Sequence, residues 1–431
     1  MSRRWILVVV LAVGLVGSLW SGGKAEGGAA GKSVQLTQWV FPFATEQEDR
    51  AMFGAILTEF QKTNPNISVN LEFFPWDARR ERMSTAIAAG TAPDVVYLND
   101  DMKPLYEGKI LDLNKYLTKQ DLADFKPAAI AASTYKGVLC YLPILINSVS
   151  IVFNMDVVQK AGITADWVNT KFLSWDDFLS YCAKVKATGA WPYTMGPADA
   201  GIIDELSNWM YQAGGDWYNA DYTKSATNTP QAIRMFKYLV SLWDNGYINP
   251  ADKDKTETEI EQGVFPAGGI GAVMVQNQNI PNAILKTNPA MHLVYAYPFK
   301  DKATSSNGTI AGYGSFNTTK NPEAAAAWIK AITGPEGMTK IDKVVNFIPT
   351  RISLDASFKD MMKDPIFNRA VENTEWFVPT VPPSPVGPAA IEEVKSGFQK
   401  MILHQASVED AAADMTARIN KLLDDYYKKT K

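Results

Sequence analysis

Residues 34–98 have the sequence VQLTQWVFPFATEQEDRAMFGAILTEFQKTNPNISVNLEFFPWDARRERMSTAIAAGTAPDVVYL, in which three short apolar runs alternate with two longer amphipathic ones. Residues 34–39, 67–73 and 94–98 show the alternating or continuous apolar pattern of strands. Residues 46–63 and 78–89 carry apolar side chains at helical spacing, and Gly90 ends the second of these runs. The order predicts a βαβαβ unit, and therefore an α/β fold with a mostly parallel sheet flanked by helices.

The carboxyl ends of these strands carry aromatic and polar side chains. Ligands bind beyond the carboxyl ends of strands in such sheets. Here these positions hold Trp39 and Phe41 after the first strand, Asp77 before the second helix, and Asn99, Asp100 and Asp101 after the third strand. We expect them to form one side of a binding site. The alternatives are core packing for the aromatic residues, and capping or solvation for the acids.

The remainder of the chain predicts a second α/β body. Helical patterns cover residues 175–186, 230–243 and 323–333, and a final helix begins at Ser407. Residues 377–388 contain five prolines, which predicts an extended strap. A chain of 431 residues with 46% hydrophobic content is long enough for two such domains.

Charge and histidine content exclude several function classes. The formal net charge is only -4 and no block of Lys or Arg interrupts the chain, so we expect no nucleic-acid partner. His292 and His404 are the only histidines, and neither has cysteines or carboxylates at ligand spacing. We therefore predict no zinc site, no Ser-His-Asp site and no cofactor, and expect both histidines to be structural or surface residues.

The first residues have the pattern of an export signal. A basic start at residues 1–4 precedes an apolar run at 5–16 and then small residues, which predicts a signal peptide over 1–22 and a flexible linker over 23–33. Cleavage and retention as a membrane anchor both remain open. Ser21 stands where a lipoprotein would carry its lipidated cysteine, which argues against a lipid anchor.

Two cysteines, Cys140 and Cys182, fit an oxidising compartment without forming a disulfide framework. Two buried thiols and one disulfide bridge are both compatible with the spacing.

Several segments in order resemble the family 1 extracellular solute-binding proteins, which are the sugar-binding components of ABC importers. The most specific are AAGTAPDVV (88–96), GVLCYLP (137–143), IVFNMD (151–156), AGI (161–163), SWDDF (174–178), GAVM (271–274) and NPEAAAAW (321–328). Each motif is weak alone, but their common order covers nearly the whole chain after the leader. The resemblance therefore implies a binding protein without catalytic activity.

The resemblance also implies the type II periplasmic-binding-protein fold, in which two lobes are joined by a multi-segment hinge. Lobe 1 would contain residues 34–147 plus 312–347, and lobe 2 residues 148–311 plus 348–431, with crossings near 146–148, 311 and 348–349. A carbohydrate would bind between the lobes and shift an open form toward a closed one. The implied partners are this carbohydrate and the membrane permease of an ABC transporter, and the implied location of the monomer is the periplasm or the outer face of the cytoplasmic membrane.

The resemblance adds further candidate residues. Asp101 and Asn147 fall where maltose-binding members of the family use carboxylates, and Ile280 falls where they have a stacking Trp, which argues against maltose as the ligand. Sugar recognition requires aromatic faces and planar polar groups. On that basis the candidates of the second lobe and hinge are Asp204, Trp209, Asn277, Asn279, Tyr313 and Trp376. We expect Tyr313 to lie in a hinge-side loop over residues 312–314. Helix or core packing is the alternative for Trp209 and Tyr313, and a plain turn is the alternative for the amides.

Three other functions remain open on sequence grounds. An exported glycoside hydrolase would need two opposed carboxyl groups, one of them with a raised pKa. The same fold could bind a polyamine, a phosphorylated polyol or ferric iron, and Arg80 and Arg351 would suit a phosphate. A sensor or adhesion module would share every feature described above.

Overall fold

The computed structural model of the chain describes residues 33–76, 78–99, 103, 106–345, 347–380 and 384–429. The predicted leader and linker, up to residue 32, lie outside the described residues, as do Asp77, Asp100 and Asp101. None of the helices in the described ranges has the length and apolar character needed to span a membrane.

A five-stranded sheet forms the centre of the first lobe. Its order is β2-β1-β3-β12-β6, and it consists of β1 (Val34–Val40), β2 (Ile67–Phe73), β3 (Val95–Asn99), β6 (Tyr141–Ile146) and β12 (Ile310–Gly314). Strand β1 pairs in parallel with β2 and β3, whereas β12 runs antiparallel to β3 and β6. The predicted parallel βαβαβ unit is confirmed.

The second lobe is built on a four-stranded sheet of order β10-β7-β9-β8. Its strands are β7 (Ser150–Asn154), β8 (Trp191–Thr194), β9 (Ile270–Val275) and β10 (Leu293–Tyr295). Three of them run in one direction, and β7 runs in the opposite direction between β10 and β9. The short strands β4 (Thr134–Tyr135) and β5 (Val138–Leu139) pair separately, as do β11 (Ser306–Gly308) and β13 (Phe377–Pro379).

Helices cover both sheets. They are α1 (Glu46–Thr63), α2 (Arg79–Ala89), α3 (Lys119–Leu122), α4 (Pro127–Ser133), α5 (Met155–Val158), α6 (Ala165–Val168), α7 (Trp175–Lys186), α8 (Ile202–Gln212), α9 (Pro230–Asp244), α10 (Glu257–Glu259), α11 (Ile280–Thr287), α12 (Pro322–Thr333), α13 (Pro335–Asp342), α14 (Pro365–Asn373), α15 (Gly387–Ile402) and α16 (Val408–Lys429). The predicted helices at 46–63, 175–186 and 230–243 agree with α1, α7 and α9.

Local sequence explains where α1 begins. The hydroxyl of Thr45 accepts a hydrogen bond from the backbone N–H of Glu48 at 3.2 Å, and the Glu48 carboxylate accepts one from the backbone N–H of Thr45 at 3.1 Å. This reciprocal capping box satisfies N–H groups that have no partner within the helix. It fixes the turn that joins β1 to α1, which faces the second lobe.

The crossing segments between the two sheets are joined by backbone hydrogen bonds. The N–H of Asn147 donates to the carbonyl of Thr309 at 3.0 Å, and the N–H of Ile146 donates to the carbonyl of Ile348 at 2.9 Å. Three stretches that are distant in sequence therefore run side by side between the lobes. They lie at the positions where the resemblance places the hinge.

Two expectations need correction. Residues 312–314 are not a loop but the last three residues of β12, and a Cβ on Gly312 would lie 1.8 Å from the carbonyl oxygen of Leu142. The strand departs from regular register beside this glycine, which allows the close approach. In the described part of the proline-rich stretch, residues 377–379 are extended as β13, whereas α15 already begins at Gly387, with Pro388 in its first turn.

Both cysteines are buried and free, so the disulfide alternative is not realised. The two histidines lie at the surface. His292 Nδ1 is 2.8 Å from Asp156 Oδ1, and His404 Nε2 is 3.1 Å from Asp244 Oδ1.

Candidate functional site

An aromatic cluster lies at the carboxyl end of β1. The Phe43 ring has its centroid 6.3 Å from that of Trp76, 5.6 Å from that of Tyr97 and 5.2 Å from that of Phe347. Trp76 is the exposed member, with 42% of its surface accessible, and its indole N–H donates to the carbonyl of Pro42 at 2.7 Å. The hydrogen bond fixes the orientation of the indole, so Trp76 has an ordered ring that is exposed to solvent.

Arg79 of α2 connects this aromatic cluster to the end of β3. Its Nη2 donates to Asn99 Oδ1 at 2.6 Å and to the carbonyl of Tyr97 at 3.3 Å. The buried guanidinium also lies 5.3 Å from the centroid of the Tyr97 ring. Asn99 is half-buried, and Arg79 determines the orientation of its amide.

The second lobe contributes the amide run, defined as residues 276–279 at the carboxyl end of β9. Gln278 accepts a hydrogen bond from the N–H of Ser148 at 3.1 Å and donates to the carbonyl of Ile146 at 3.3 Å. Asn279 Nδ2 donates to the carbonyl of Phe43 in the first lobe at 3.4 Å. The amide run therefore lies between the hinge and the aromatic cluster.

Two buried glutamates hold the start of the amide run. The N–H of Gln276 donates to Glu261 Oε1 at 2.9 Å, and its Nε2 donates to Glu257 Oε2. Burial raises the pKa of Glu261 to about 8, and the negative charge of Asp204 adds to the effect. Burial, together with Asp204 and Glu261, also raises the pKa of Glu257 well above its ordinary value. Burial therefore favours the protonated form of both groups.

The lobes touch at the rim formed by α1 and α11. Lys286 Nζ lies 3.4 Å from Glu48 Oε1, close to the contact between Asn279 and Phe43. Half-buried Ile280, at the start of α11, packs against an apolar core that contains residues of both sheets.

The structure brings together some of the predicted site residues. Asn99 is bound to Arg79 beside the aromatic cluster, and Asn279 of the amide run reaches the same cluster at Phe43. Asn277 Oδ1 caps the turn by accepting from the N–H of Asn279 at 2.9 Å. Phe41 is buried beneath Trp76, with ring centroids 5.5 Å apart. Half-buried Asp204 belongs to the second-lobe acids around Glu257 and Glu261.

Other predicted residues lie elsewhere. Trp209 is fully buried among Trp175, Tyr238 and Phe299, and Tyr313 is buried between Phe53 and Tyr97, so neither ring has a face to offer a ligand. Packing, the alternative that sequence left open, explains both.

Trp39, Asn147 and Trp376 also have structural partners. Buried Trp39 donates its indole N–H to Glu72 Oε2 at 3.0 Å within the β1–β2 pair. Asn147 Oδ1 accepts from the N–H of Thr309 at 2.5 Å, inside the crossing segments. Trp376 packs edge-on against Phe172, with centroids 5.1 Å apart, away from the aromatic cluster.

Trp76, Phe43 and Gln276 were missed as site residues. Trp76 directly precedes Asp77, which the sequence reasoning did select, and the aromatic content of the segment LEFFPWD (71–77) offered no means of separating core rings from exposed ones. Gln276 lay in the amide run that was recognised, but only its hydrogen bonds to the two glutamates single it out. Among the described residues, no group of three His, Cys, Asp or Glu side chains is arranged to hold a metal ion.

The model of the family described as bacterial extracellular solute-binding protein matches residues 55–368. The chain belongs to this family. Solute binding is therefore its function. In the structure, the aromatic cluster and the amide run meet at the contact between Phe43 and Asn279.

Relatives support the same assignment. The chain is similar to a binding protein of Brucella abortus, with 26% identity over 69% of this chain and 72% of the relative. It is also similar to the arabinooligosaccharide-binding protein of Bacillus subtilis, with 23% identity over 62% of this chain and 60% of that protein. The diacetylchitobiose binding protein of Streptomyces coelicolor is 22% identical over 98% of this chain and 99% of its own length.

Solved structures of low sequence identity share the fold. An ABC transporter solute-binding protein of Thermotoga lettingae, solved with α-D-tagatose, has a TM-score of 0.79 at 20% identity, over 91% of this chain and 100% of that chain. An ABC substrate-binding protein of Listeria monocytogenes, solved with cycloalternan, has the same TM-score, identity and coverage. The predicted two-lobed α/β fold of solute-binding proteins is confirmed.

Proposed function

We propose that this solute-binding protein captures a carbohydrate between its lobes, closes by rotation about the crossing segments, and delivers the sugar unchanged to an ABC permease. The observation that carries the proposal is the meeting of the aromatic cluster and the amide run at Phe43. Its ring packs with Trp76, and its carbonyl accepts a hydrogen bond from Asn279. A ligand in the groove would be bounded by both kinds of surface.

The chemistry of these surfaces suits a sugar. An aromatic face covers the C–H surface of a pyranose, while amides supply both donors and acceptors for hydroxyl groups. Trp76 offers such a face, and Gln276, Asn277 and Asn279 offer amides. The names of relatives that bind arabinooligosaccharides and diacetylchitobiose, and structures solved with tagatose and cycloalternan, support the same class of ligand.

Other solutes of the same fold fit less well. A phosphate would require free cationic groups, but Arg351 is bound to the carbonyl of Thr333 at 2.6 Å and to Asp124 at 3.1 Å. A polyamine would require ionised carboxylates, whereas burial disfavours the ionised form of Glu257 and Glu261. Ferric iron would favour Tyr and His ligands, and both histidines lie at the surface beside aspartates.

The proposal includes export and the absence of catalysis. The basic and apolar leader over residues 1–16 supports placement in the periplasm or on the outer face of the cytoplasmic membrane. The relatives are named for binding, which supports release of an unaltered ligand. The proposal also takes the protein to act as a monomer. The lobe boundaries proposed are 34–147 plus 312–347 and 148–311 plus 348–431.

Calorimetry with a ligand panel tests the proposal. The panel contains mono- to hexasaccharides of glucose, N-acetylglucosamine and arabinose, together with tagatose, spermidine, glycerol 3-phosphate and ferric citrate. We expect at least one saccharide to bind, to raise the melting temperature and to reduce the radius of gyration in X-ray scattering. Chromatography of the recovered sugar should show no new product. Binding of spermidine, phosphate or iron alone, or turnover of an oligosaccharide, would overturn the proposal.

A further inference from the structure

Gln276 is bound by two buried glutamates, one at its backbone and one at its side chain. Its backbone N–H and its side-chain amide are both bound by buried glutamates, Glu261 and Glu257. We propose that Glu257 and Glu261 are positioning residues that hold the Gln276 amide in the groove, where it contacts the ligand and selects for hydroxyl-bearing solutes. This inference rests on the proposed binding of a carbohydrate between the lobes.

The location of Gln276 supports contact with a ligand. It is the first residue after β9, whose six residues are all buried, and is itself half-buried. Three residues further on, Asn279 reaches Phe43 of the first lobe. Gln276 therefore lies at the carboxyl end of a central strand and at the boundary between the lobes, which is the position where α/β sheets bind ligands.

The hydrogen bonds determine which part of the amide remains available. Because Nε2 donates to Glu257, the amide plane is fixed, and Oε1 remains as an acceptor together with the second N–H as a donor. Two hydroxyl groups on neighbouring carbons of a sugar could donate to this oxygen and accept from this N–H. A fixed amide loses little side-chain entropy when it binds, so its hydrogen bonds contribute more affinity than those of a mobile one.

The backbone at Gly201 lies close to the side chains of Glu257 and Gln276. A Cβ on Gly201 would lie 2.7 Å from Glu257 Oε2 and 3.0 Å from Gln276 Nε2. A side chain at position 201 would therefore push the glutamate and the amide apart. Glycine at the start of α8 allows the preceding loop to enclose this pair.

Charged groups surround Glu257 and Glu261, so the protonation state of these two glutamates affects how they hold Gln276. The acids facing the two glutamates are Asp199 from the loop before α8, Asp204 and Glu205 from α8, and the phenols nearby are Tyr193 of β8 and Tyr295 of β10. The cations facing Asp199 are Lys395 of α15 and Arg80 of α2. Acids outnumber cations here, so ionisation of both Glu257 and Glu261 would place further negative charge in a buried, already acidic region.

A pH dependence follows from this arrangement. In the neutral form, each glutamate accepts its hydrogen bond from Gln276 without repelling the other acids. When the pH rises through about 8, where Glu261 loses its proton, repulsion between the acids should spread the pair and release Gln276. Ligand affinity should consequently fall on the alkaline side.

The test measures the dissociation constant of the panel saccharide that wild-type protein binds most tightly, for six variants. We expect Q276A, E257A and E261A each to weaken binding by about tenfold, whereas E257Q and E261Q, which mimic the neutral acid, should stay within about threefold of wild type. Between about pH 7 and pH 9 the wild-type affinity should fall, and in E257Q and E261Q this fall should be smaller. D342N is the matched control for a buried acid and should keep the wild-type affinity, because burial alone raises the pKa of Asp342 to about 8 and this residue of α13 is not among the acids that face Glu257 and Glu261.

The outcomes separate this inference from the proposed function. If wild-type protein binds none of the saccharides, the proposed function fails and the inference fails with it. If wild-type protein binds but Q276A binds equally well, only the role of Gln276 is overturned. If Q276A weakens binding but the glutamine variants keep the wild-type pH profile, the positioning role of the two glutamates is overturned.

Discussion

Asp49 Oδ2 accepts a hydrogen bond of 2.7 Å from the backbone N–H of Phe43. The side chain of Asp49 lies in the first turn of α1 and is fully buried. Burial raises its pKa to about 6, although hydrogen bonds from the N–H groups of Phe43 and Ala44 oppose the shift. The turn that carries Phe43 to the second lobe therefore depends on a carboxyl group that titrates near neutral pH.

Asp49 should make the stability of the protein fall as the pH rises. Its pKa is raised in the folded state, so its stabilising contribution is complete below about pH 4 and is lost as the pH passes about 6. The difference between the pKa values of the folded and unfolded states changes the free energy of unfolding by about 3 kcal/mol. D49N cannot titrate at this position, so its stability relative to wild type should increase between about pH 4 and pH 7.

Urea unfolding of wild type and D49N at matched pH values measures this difference. Comparison of the two proteins at each pH cancels the contributions of all other acids, which are common to both. A stability difference that stays constant across the range would show that Asp49 ionises in the folded protein as it does in the unfolded chain.

Gly312→Ala should strongly destabilise the protein. The added Cβ would lie 1.8 Å from the carbonyl oxygen of Leu142 in the neighbouring strand, so β12 would have to separate from β6. We expect a loss of about 3 kcal/mol or more in the free energy of unfolding, measured by chemical denaturation. Gly54→Ala is the control, because a Cβ there meets nothing within 4 Å, and removal of glycine from the interior of α1 should stabilise by about 0.5–1 kcal/mol.

The contrast between these glycines shows what the sequence could and could not predict. The helices and strands of the first lobe follow from apolar periodicity, because burial on one face imposes that period. The need for glycine at position 312 does not follow from periodicity, because it depends on contact with Leu142, which is 170 residues away in the chain. The sequence reasoning therefore placed the segment correctly near the boundary between the lobes but took a buried strand for a loop.

The site shows the same division. Amides after a buried strand predict a polar edge, and in the structure these residues directly follow β9, where Asn279 contacts Phe43 of the first lobe. Aromatic residues are harder to assign, because burial of a ring depends on which elements cover it. Trp209 and Trp76 both have helices nearby in sequence, yet one is enclosed by Trp175 and Tyr238 and the other is 42% exposed.

Trp76→Ala should weaken saccharide binding by about tenfold without lowering the stability of the ligand-free protein. The exposed ring should contribute an aromatic contact of about 1–2 kcal/mol to a bound sugar, and it contributes little to the stability of the hydrophobic core. Calorimetry gives the affinity and thermal unfolding gives the stability. Trp376→Ala removes another half-buried Trp that packs with Phe172, so it should leave the affinity unchanged. Equal losses in the two variants would argue against the aromatic cluster as the binding surface.

Both cysteines should resist thiol reagents until the protein unfolds. Cys140 and Cys182 are free and buried, and burial raises the pKa of the Cys182 thiol, which suppresses the reactive thiolate. Titration with a disulfide reagent should detect no thiol in the native protein and 2 thiols in denaturant without reductant. No reactive thiol in denaturant would instead indicate a disulfide between them.

The ion pair between Glu48 and Lys286 should favour the closed form. The two side chains belong to different lobes and are 43% and 67% exposed, so their attraction is weakened by solvent. E48Q removes the charge but keeps the amide oxygen that can cap α1 at Thr45. We expect E48Q and K286Q each to weaken saccharide binding by about twofold at low salt, and the double variant to lose no more than either single variant.

Salt dependence provides the control for this cycle. At about 0.5 M salt, screening should remove the differences among the four proteins, because the pair is exposed. Since neither side chain is a candidate ligand contact, a coupling at low salt would report closure of the rim alone. Additive losses, or losses that persist at high salt, would mean that Glu48 and Lys286 act separately and that contact between α1 and α11 does not depend on their charges.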